Sequence, residues 1–324
     1  MKPALSVLIF TVSSGAGYGL LIWLLLFYLF SPDALALALS PDSLRTYFGL
    51  YGGIGLVLVT LGLLSSTLHL ANPKNAWRAF NRFRTSWLSR EGVFALLFYP
   101  AFILFAALLW FGVDATGLTA TTALVALAIA FATLVCTGMI YASLKPIRQW
   151  HNNLTTPIYI GFSLMSGSLL YGMLYQYQFG KLPAPVFNAF ITSLIVTLLL
   201  KLLYFWHIGK PDGAGKNRTT IGDATGFSQA QVRLMDAGHS SGTFLTKEFV
   251  YDAGALRLLI LRRCMLVLTF VIPLALIIWG RQVGIPSAVY LAMVFMLGGT
   301  LLERWLFFAE ARHVVRLYHG DQSN

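Results

Sequence analysis

Charge is what this sequence has least of: 11% of its 324 residues are Asp, Glu, Lys or Arg, against roughly a quarter in an ordinary soluble domain. With 57% hydrophobic residues and a mean hydropathy of +0.72, that scarcity excludes a soluble globular core of this length. Cysteine is nearly absent. Cys136 and Cys264 fall in or at apolar runs without a CxxC spacing, which excludes a disulfide framework and gives no support to a zinc or iron–sulfur site carried by this chain. Histidine is scarce too, at six residues, and no apolar run holds two of them half a bilayer apart, as a two-haem cytochrome would. A single haem between His69 and His207 or His313 remains compatible with depth alone. Acidic residues number 12 against 23 basic ones, a net charge of +11, and the question is where the basic ones lie.

What is present in abundance is apolar sequence in runs long enough to span hydrocarbon, about 20 residues at about 1.5 Å rise each. The runs are continuous rather than alternating, so they predict helices and not barrel strands. The fold class is all-α: an integral membrane bundle of eight transmembrane helices in one polytopic domain, 1–324. The spans are placed at roughly 5–30, 45–69, 91–111, 117–142, 155–179, 184–207, 261–280 and 286–311. The first follows Lys2 but runs on past signal-peptide length without a clean small-residue cleavage site, and reads as a retained helix.

Eight spans put both termini on one side, here side A. Of the 23 Lys and Arg residues, 18 fall on side A and three (Arg45, Lys181, Arg281) on side B, with Lys201 and Arg304 inside spans. The positive-inside rule then makes side A cytoplasmic, and the bacterial inner membrane is the expected location. The basic excess is thus a topology signal, and nucleic acid is not an expected partner. The long connection 208–260 is rich in Gly, Ser, Thr and charge and contains HSSGTFLTKEF from His239. A loop that long is expected to be functional, here for partner docking.

The segment 72–90 is patterned. At about 100° per residue Lys74, Arg78 and Arg82 form one stripe opposite Ala76, Trp77, Ala79, Phe80 and Phe83. That is a short interfacial amphipathic helix, aromatic side toward lipid. The plain alternative is arginines reaching for lipid phosphates; the functional one is a floor for a docked subunit and a lip over a lipophilic substrate. Two ionisable residues bracket it, His69 closing the second span and Glu91 opening the third. A quinone site needs a donor for a carbonyl oxygen, a group that exchanges protons with the hydroxyl, and apolar walls. His69 and Glu91 supply the first two. Alternatively Glu91, following Ser89, belongs to a helix cap and His69 tethers a loop.

Glu303 and Arg304 lie inside the last span and call for partners. Adjacent positions do not face each other on a helix, so each is expected to find its partner elsewhere, in an interhelical structural pair. SSGAGYG, from Ser13 to Gly19, reads as close helix packing. A secondary transporter would show inverted repeats and broken helices, and none is evident.

The run SSTLHLANPKNAWRAFNRFRTSWLSREGVF at 65–94 resembles the signature of the membrane-anchor subunits of dimethyl sulfoxide reductase, the DmsC family. MKPALSVLIFTVSSGAGYG at the start, YASLKPIRQWHN at 141–152, HSSGTFLTKEF at 239–249 and ERWLFFAEARH at 303–313 are similar in kind and order. The resemblance implies eight helices, no haem or iron–sulfur cluster in this chain, a ferredoxin-like iron–sulfur partner with [4Fe–4S] clusters, and a molybdopterin catalytic partner holding a molybdenum bis-pterin cofactor. In that family a histidine ending the second helix and a glutamate beginning the third are associated with quinol binding, which His69 and Glu91 match. Trp77, Arg78 and Arg82 match the character of the same loop and join them as candidate contacts to quinone, ubiquinone or menaquinone. Lys74, Arg84, His239 and Lys247 are assigned by position to partner docking. The reductase that names the family exports its catalytic subunits, whereas the charge distribution here puts the His69/Glu91 side in the cytoplasm. That is the arrangement of the quinone-dependent sulfite dehydrogenases, whose anchors are similar. Sulfite oxidation feeding quinone is therefore the favoured expectation. Reduction of dimethyl sulfoxide or another S- or N-oxide, or a passive anchor without its own quinone site, are the alternatives.

Overall fold

The computed structural model describes residues 3–31, 41–68, 73–112, 116–211, 220–228, 232 and 254–319. Among the described residues eight helices are long and apolar enough to cross a membrane, and no strand occurs. They are α1 (Leu5–Phe30), α2 (Pro41–Thr67), α3 (Trp87–Trp110), α4 (Thr116–Ala142), α5 (Thr155–Phe179), α6 (Ala184–Ile208), α7 (Ala255–Val283) and α8 (Ala288–Ala309). A 3₁₀ helix, Pro73–Arg82, lies between α2 and α3.

α2, α3 and α7 begin earlier than the hydropathy limits, and for the last two the reason is visible. α3 starts at Trp87 because Ser86, in extended conformation, caps it and accepts a hydrogen bond from Ser89 N at 3.3 Å. Ser89 is therefore not the cap, and Glu91 stands in the second turn rather than at the helix start. α7 starts at Ala255, so Arg257, Arg262 and Arg263 ride on its first turns. In both cases the helix continues past the hydrocarbon boundary that hydropathy marks.

α1 and α5 form the middle of the bundle: 67% and 83% of their most apolar windows are buried, against 22% for α3. Helices packing in lipid gain little from apolarity, because lipid tails are as apolar as leucine; close backbone approach and van der Waals contact decide the arrangement. SSGAGYG provides that approach. A Cβ on Gly19 would stand 1.8 Å from the Ser163 carbonyl oxygen, and one on Gly17 would stand 2.8 Å from the Gly55 oxygen. α1 thus lies against α5 on one side and α2 on the other. Outward faces carry Leu61, Leu64, Leu96, Ile103, Leu199 and Leu203, all exposed, as a lipid-facing surface requires.

α7 contains a π turn, Val267–Val271, just ahead of Pro273. Proline has no N–H and crowds the carbonyl four residues back; the wider turn accommodates it where Thr269 lies against Gly299 of α8.

The side A end is tied together by the two segments whose motifs stood out in the sequence. Ile147 and His313 form an antiparallel bridge, Trp150 Nε1 donates to the Phe307 carbonyl at 2.9 Å, and Arg312 N donates to Gln149 Oε1 at 3.2 Å. Tyr204 OH of α6 donates to the Gln149 carbonyl at 3.0 Å. Burial holds the His313 imidazole below its usual pKa, and its neutral ring accepts from Val315 N at 3.0 Å.

Candidate functional site

The segment from Pro73 to Glu91 is folded onto α3 by its own residues. Arg90 turns back, donating from Nε to the Phe83 carbonyl at 2.9 Å and from Nη2 to the Arg84 carbonyl at 2.7 Å, with its guanidinium 4.2 Å from the Trp87 ring centre. Phe80 lies against Gly92, and Phe83 meets Phe94 edge-on at 5.9 Å. Together with Ala132, Val135 and Cys136 of α4, the Phe83, Arg84, Trp87, Arg90 and Phe94 side chains line an open apolar groove of about 500 Å³.

The interfacial helix has the expected place but a different winding. At three residues per turn, Lys74 shares a face with Trp77 and Phe80, while Arg78 and Arg82 fall on the other two. The three basic residues therefore do not form one stripe. Lys74, Trp77, Arg78, Arg82 and Arg84 are all exposed, with Arg78 5.6 Å from the Trp77 ring centre. Of these five, Arg84 reaches the groove.

Glu91 faces the other way, into the bundle, and is only 4% exposed. Thr137 Oγ1 of α4 donates a hydrogen bond to its Oε1. The same Thr137 hydroxyl also lies 3.0 Å from the Thr133 carbonyl. A hydroxyl has one proton to give and can also accept, so two arrangements fit the same heavy atoms. With Glu91 ionised, Thr137 donates to it; with Glu91 protonated, Glu91 donates to Thr137, whose proton turns to Thr133. Tyr18 of α1 and Cys136 and Tyr141 of α4 lie within electrostatic reach of the carboxylate. The buried Tyr18 hydroxyl has no hydrogen-bond partner among the described residues. α2 and α3 meet through Thr60 and Tyr99, whose hydroxyls are 2.7 Å apart, and through Gly52 against Phe102.

His69, the other half of the expected pair, lies outside the described residues, as do His239 and Lys247. No group of three His, Cys, Asp or Glu that could hold a metal ion occurs among the described residues. Thr137, Tyr18 and Tyr141 around Glu91 were not expected from the sequence. A threonine or tyrosine within a span gives no signal of its partner.

Glu303 and Arg304 are both buried, and their arrangement differs from the expectation that neighbours cannot meet. Glu303 Oε1 accepts from Lys201 Nζ of α6 at 2.6 Å, while Arg304 Nε lies 3.0 Å from Glu303 Oε2. The two side chains bend together because Lys201 fixes the carboxylate from one side and Tyr159, 3.8 Å from the guanidinium carbon, supports Arg304 from the other. A second buried pair joins α7 to the end of α8: Arg262 Nε and Nη2 donate to the two Glu310 oxygens at 2.7 and 3.0 Å, and Nη1 donates to the Gly209 carbonyl.

Comparison with known proteins shows the family of the chain. Residues 1–309 match the model of the family described as DMSO reductase anchor subunit (DmsC). A sulfite dehydrogenase subunit of Allochromatium vinosum is 32% identical over 335 residues, covering 98% of this chain and 99% of the relative. No solved structure matches. The chain is a multi-pass membrane protein that belongs to the DmsC family of membrane-anchor subunits.

Proposed function

We propose that this chain is the quinone-reactive subunit of a molybdenum oxidoreductase complex, passing electrons between an iron–sulfur partner and membrane quinone at the side A end. The observation that carries the reading is the Glu91–Thr137 pair. Quinone and quinol differ by two electrons and two protons, so a site in hydrocarbon needs a group that takes or gives a proton without rebuilding its surroundings. Glu91 has both hydrogen-bond arrangements available on fixed heavy atoms. His69, which follows the described Leu68 in sequence, is the proposed donor to the quinone carbonyl oxygen. Trp77, Arg78 and Arg82 are the proposed lip of the site. Lys74, Arg84, His239 and Lys247 are the proposed docking residues for a ferredoxin-like iron–sulfur subunit, which in turn serves a molybdopterin catalytic subunit.

The name of the Allochromatium relative, a sulfite dehydrogenase subunit, supports sulfite as the electron source. The distribution of basic residues supports a cytoplasmic side A. Reporter fusions after Asn153 and after Asp114 test the latter: the first is expected to report cytoplasm and the second periplasm. The reverse pattern removes the main argument for sulfite oxidation over reduction of an exported oxide. The purified complex is further expected to show no b-type haem bands on reduction. A stoichiometric b haem that vanishes in His69→Ala overturns both that expectation and the quinone role of His69. The function itself is tested by sulfite-driven reduction of a quinone analogue in the intact complex and in its Glu91 and His69 variants.

A further inference from the structure

At the side B end the helix hairpins α5–α6 and α7–α8 enclose a cleft of about 220 Å³, lined by Gln176 and Leu182 of the first and by Ile277, Arg281, Pro286 and Val289 of the second. α5 and α7 both end there on a glycine in the left-handed region, Gly180 at φ 67° and Gly284 at φ 76°. The backbone caps itself: Gly180 N donates to the Gln176 carbonyl at 2.9 Å, and Ile285 N donates to the Gly280 carbonyl at 2.8 Å. Neither carbonyl waits for a side-chain donor.

Two side chains on the cleft nevertheless carry donors without acceptors. Gln176 is only 9% exposed, and its side-chain amide has no hydrogen-bond partner among the described residues. Arg281 crosses from α7 to lay its guanidinium over the Phe187 ring of α6, 4.5 Å from the ring centre. That contact holds the guanidinium in place but supplies no hydrogen-bond acceptor. No carboxylate or carbonyl among the described residues accepts from Arg281, and no acid lines the cleft. An arginine that only snorkels needs nothing but water; this one is pinned against a ring and shares a cleft with a nearly buried, unpartnered amide. Tyr177, Trp279 and Tyr290 are exposed around the same helix ends, the depth at which amphipathic rings meet lipid headgroups. Lys181 is exposed on the turn beside Gly180 and adds a second positive charge at the rim.

We propose that this cleft is a headgroup site for an anionic phospholipid of the side B leaflet, whose phosphate accepts from the Arg281 guanidinium and the Gln176 amide. A phosphate is the acceptor that a guanidinium fork fits best, and it relieves the cost of an amide withdrawn from water without a partner. Size decides between a headgroup and a whole ligand. Pockets for entire small molecules begin at about 300 Å³, so this cleft takes a headgroup and leaves the acyl chains outside. Val271 and Ile278, exposed on the lipid-facing side of α7, give those chains a surface to run along. A lipid seated there touches both hairpins at once and ties α6 to α7 where the Arg281–Phe187 contact already joins them. The site is independent of the quinone role proposed for side A.

Lipid retention by the intact purified complex tests this. After delipidation in detergent, native mass spectra are expected to show the parent taking up dioleoylphosphatidylglycerol in preference to dioleoylphosphatidylcholine. Arg281→Gln and Gln176→Leu are each expected to lower that uptake by about fivefold or more, the loss of one charge-assisted hydrogen bond. Arg45→Gln, which alters a side B cation on α2, is expected to leave it unchanged. A phosphatidylglycerol with a photoactivatable headgroup is expected to label the parent within 176–182 or 277–289, a measurement that needs no variant to fold. Should Arg281→Gln not assemble, Gln176→Leu and the labelling decide. Uptake by Arg281→Gln equal to that of the parent, or labelling only elsewhere, overturns the proposal. Equal uptake of the two lipids overturns it too, leaving a plain apolar contact with lipid. Inorganic phosphate that raises the thermal midpoint of the parent as much as phosphatidylglycerol does would make the occupant a free anion, and the lipid assignment would fall.

Discussion

Glu91→Gln is expected to lower quinone-linked turnover at least tenfold, a barrier increase of about 1.4 kcal/mol, while turnover with a soluble electron acceptor persists. The substitution is chosen because it leaves shape almost unchanged. Glutamine keeps an oxygen where Thr137 donates its hydrogen bond, and it fills the same buried space between α3 and α4. What it removes is the carboxyl proton and the negative charge. A residue serving only as buried packing would tolerate that with a modest loss of stability; a residue that exchanges protons with a quinol hydroxyl would not, because an amide neither takes nor gives a proton at working pH. His69→Gln is expected to show the same split, retaining assembly and soluble-acceptor activity. The loss should appear in turnover at saturating quinone as well as in apparent affinity, since proton exchange belongs to the chemical step. Normal quinone-linked rates in both variants, in a fully assembled complex, would leave Glu91 a buried polar tie to α4 and His69 without a quinone role.

The eight spans were legible because length and apolarity are the whole requirement for crossing hydrocarbon, and a few residues of error do not alter them. Their ends were less legible. Trp87 to Arg90 are helical although their polarity places them outside the apolar run, and only the Ser86 cap shows where the turn stops. The packing role of SSGAGYG was readable because small residues at helical spacing have one common use in a membrane bundle. The amphipathic character of Pro73–Arg82 was readable too, but not its winding. An angle of about 100° per residue and one of about 120° share out the same Lys74, Arg78 and Arg82 differently. Glu91 was found by residue type and place, whereas its partner Thr137 is 46 positions away and gives no sign of itself. Likewise Lys201 and Glu303, 102 positions apart, become a pair only once α6 and α8 are adjacent. Glu303 and Arg304 meet although they are neighbours on one helix, because long side chains bend toward a shared, fixed partner even where their Cα–Cβ directions diverge.

Gly19→Ala is expected to have the largest effect on the bundle itself, with Gly167→Ala beside it. Helix propensity alone argues the other way, since alanine in a helix interior is better than glycine by about 1 kcal/mol. The geometry of the α1–α5 contact decides the sign. A Cβ on Gly19 would fall 1.8 Å from the Ser163 oxygen and 2.6 Å from its carbonyl carbon, and a Cβ on Gly167 would fall 2.1 Å from the Gly19 carbonyl carbon. Both obstacles are backbone, so no rotamer relieves them and the two central helices must separate. Overpacking a core usually costs about 1–3 kcal/mol, and here the strain spreads along a whole helix pair whose van der Waals contact holds the bundle together without a hydrophobic force to replace it. Separation would also shift α1 against α4, and with it Tyr18 beside Glu91. Gly19→Ala is therefore expected to lower the thermal midpoint of the complex sharply or to prevent its assembly. Gly53→Ala on α2, where a Cβ meets nothing within 4 Å, is expected to match or exceed the parent. Thermal midpoints and assembled yield of the three variants, prepared side by side, check this; equal stability of Gly19→Ala and Gly53→Ala would mean that the α1–α5 contact is looser than its geometry states.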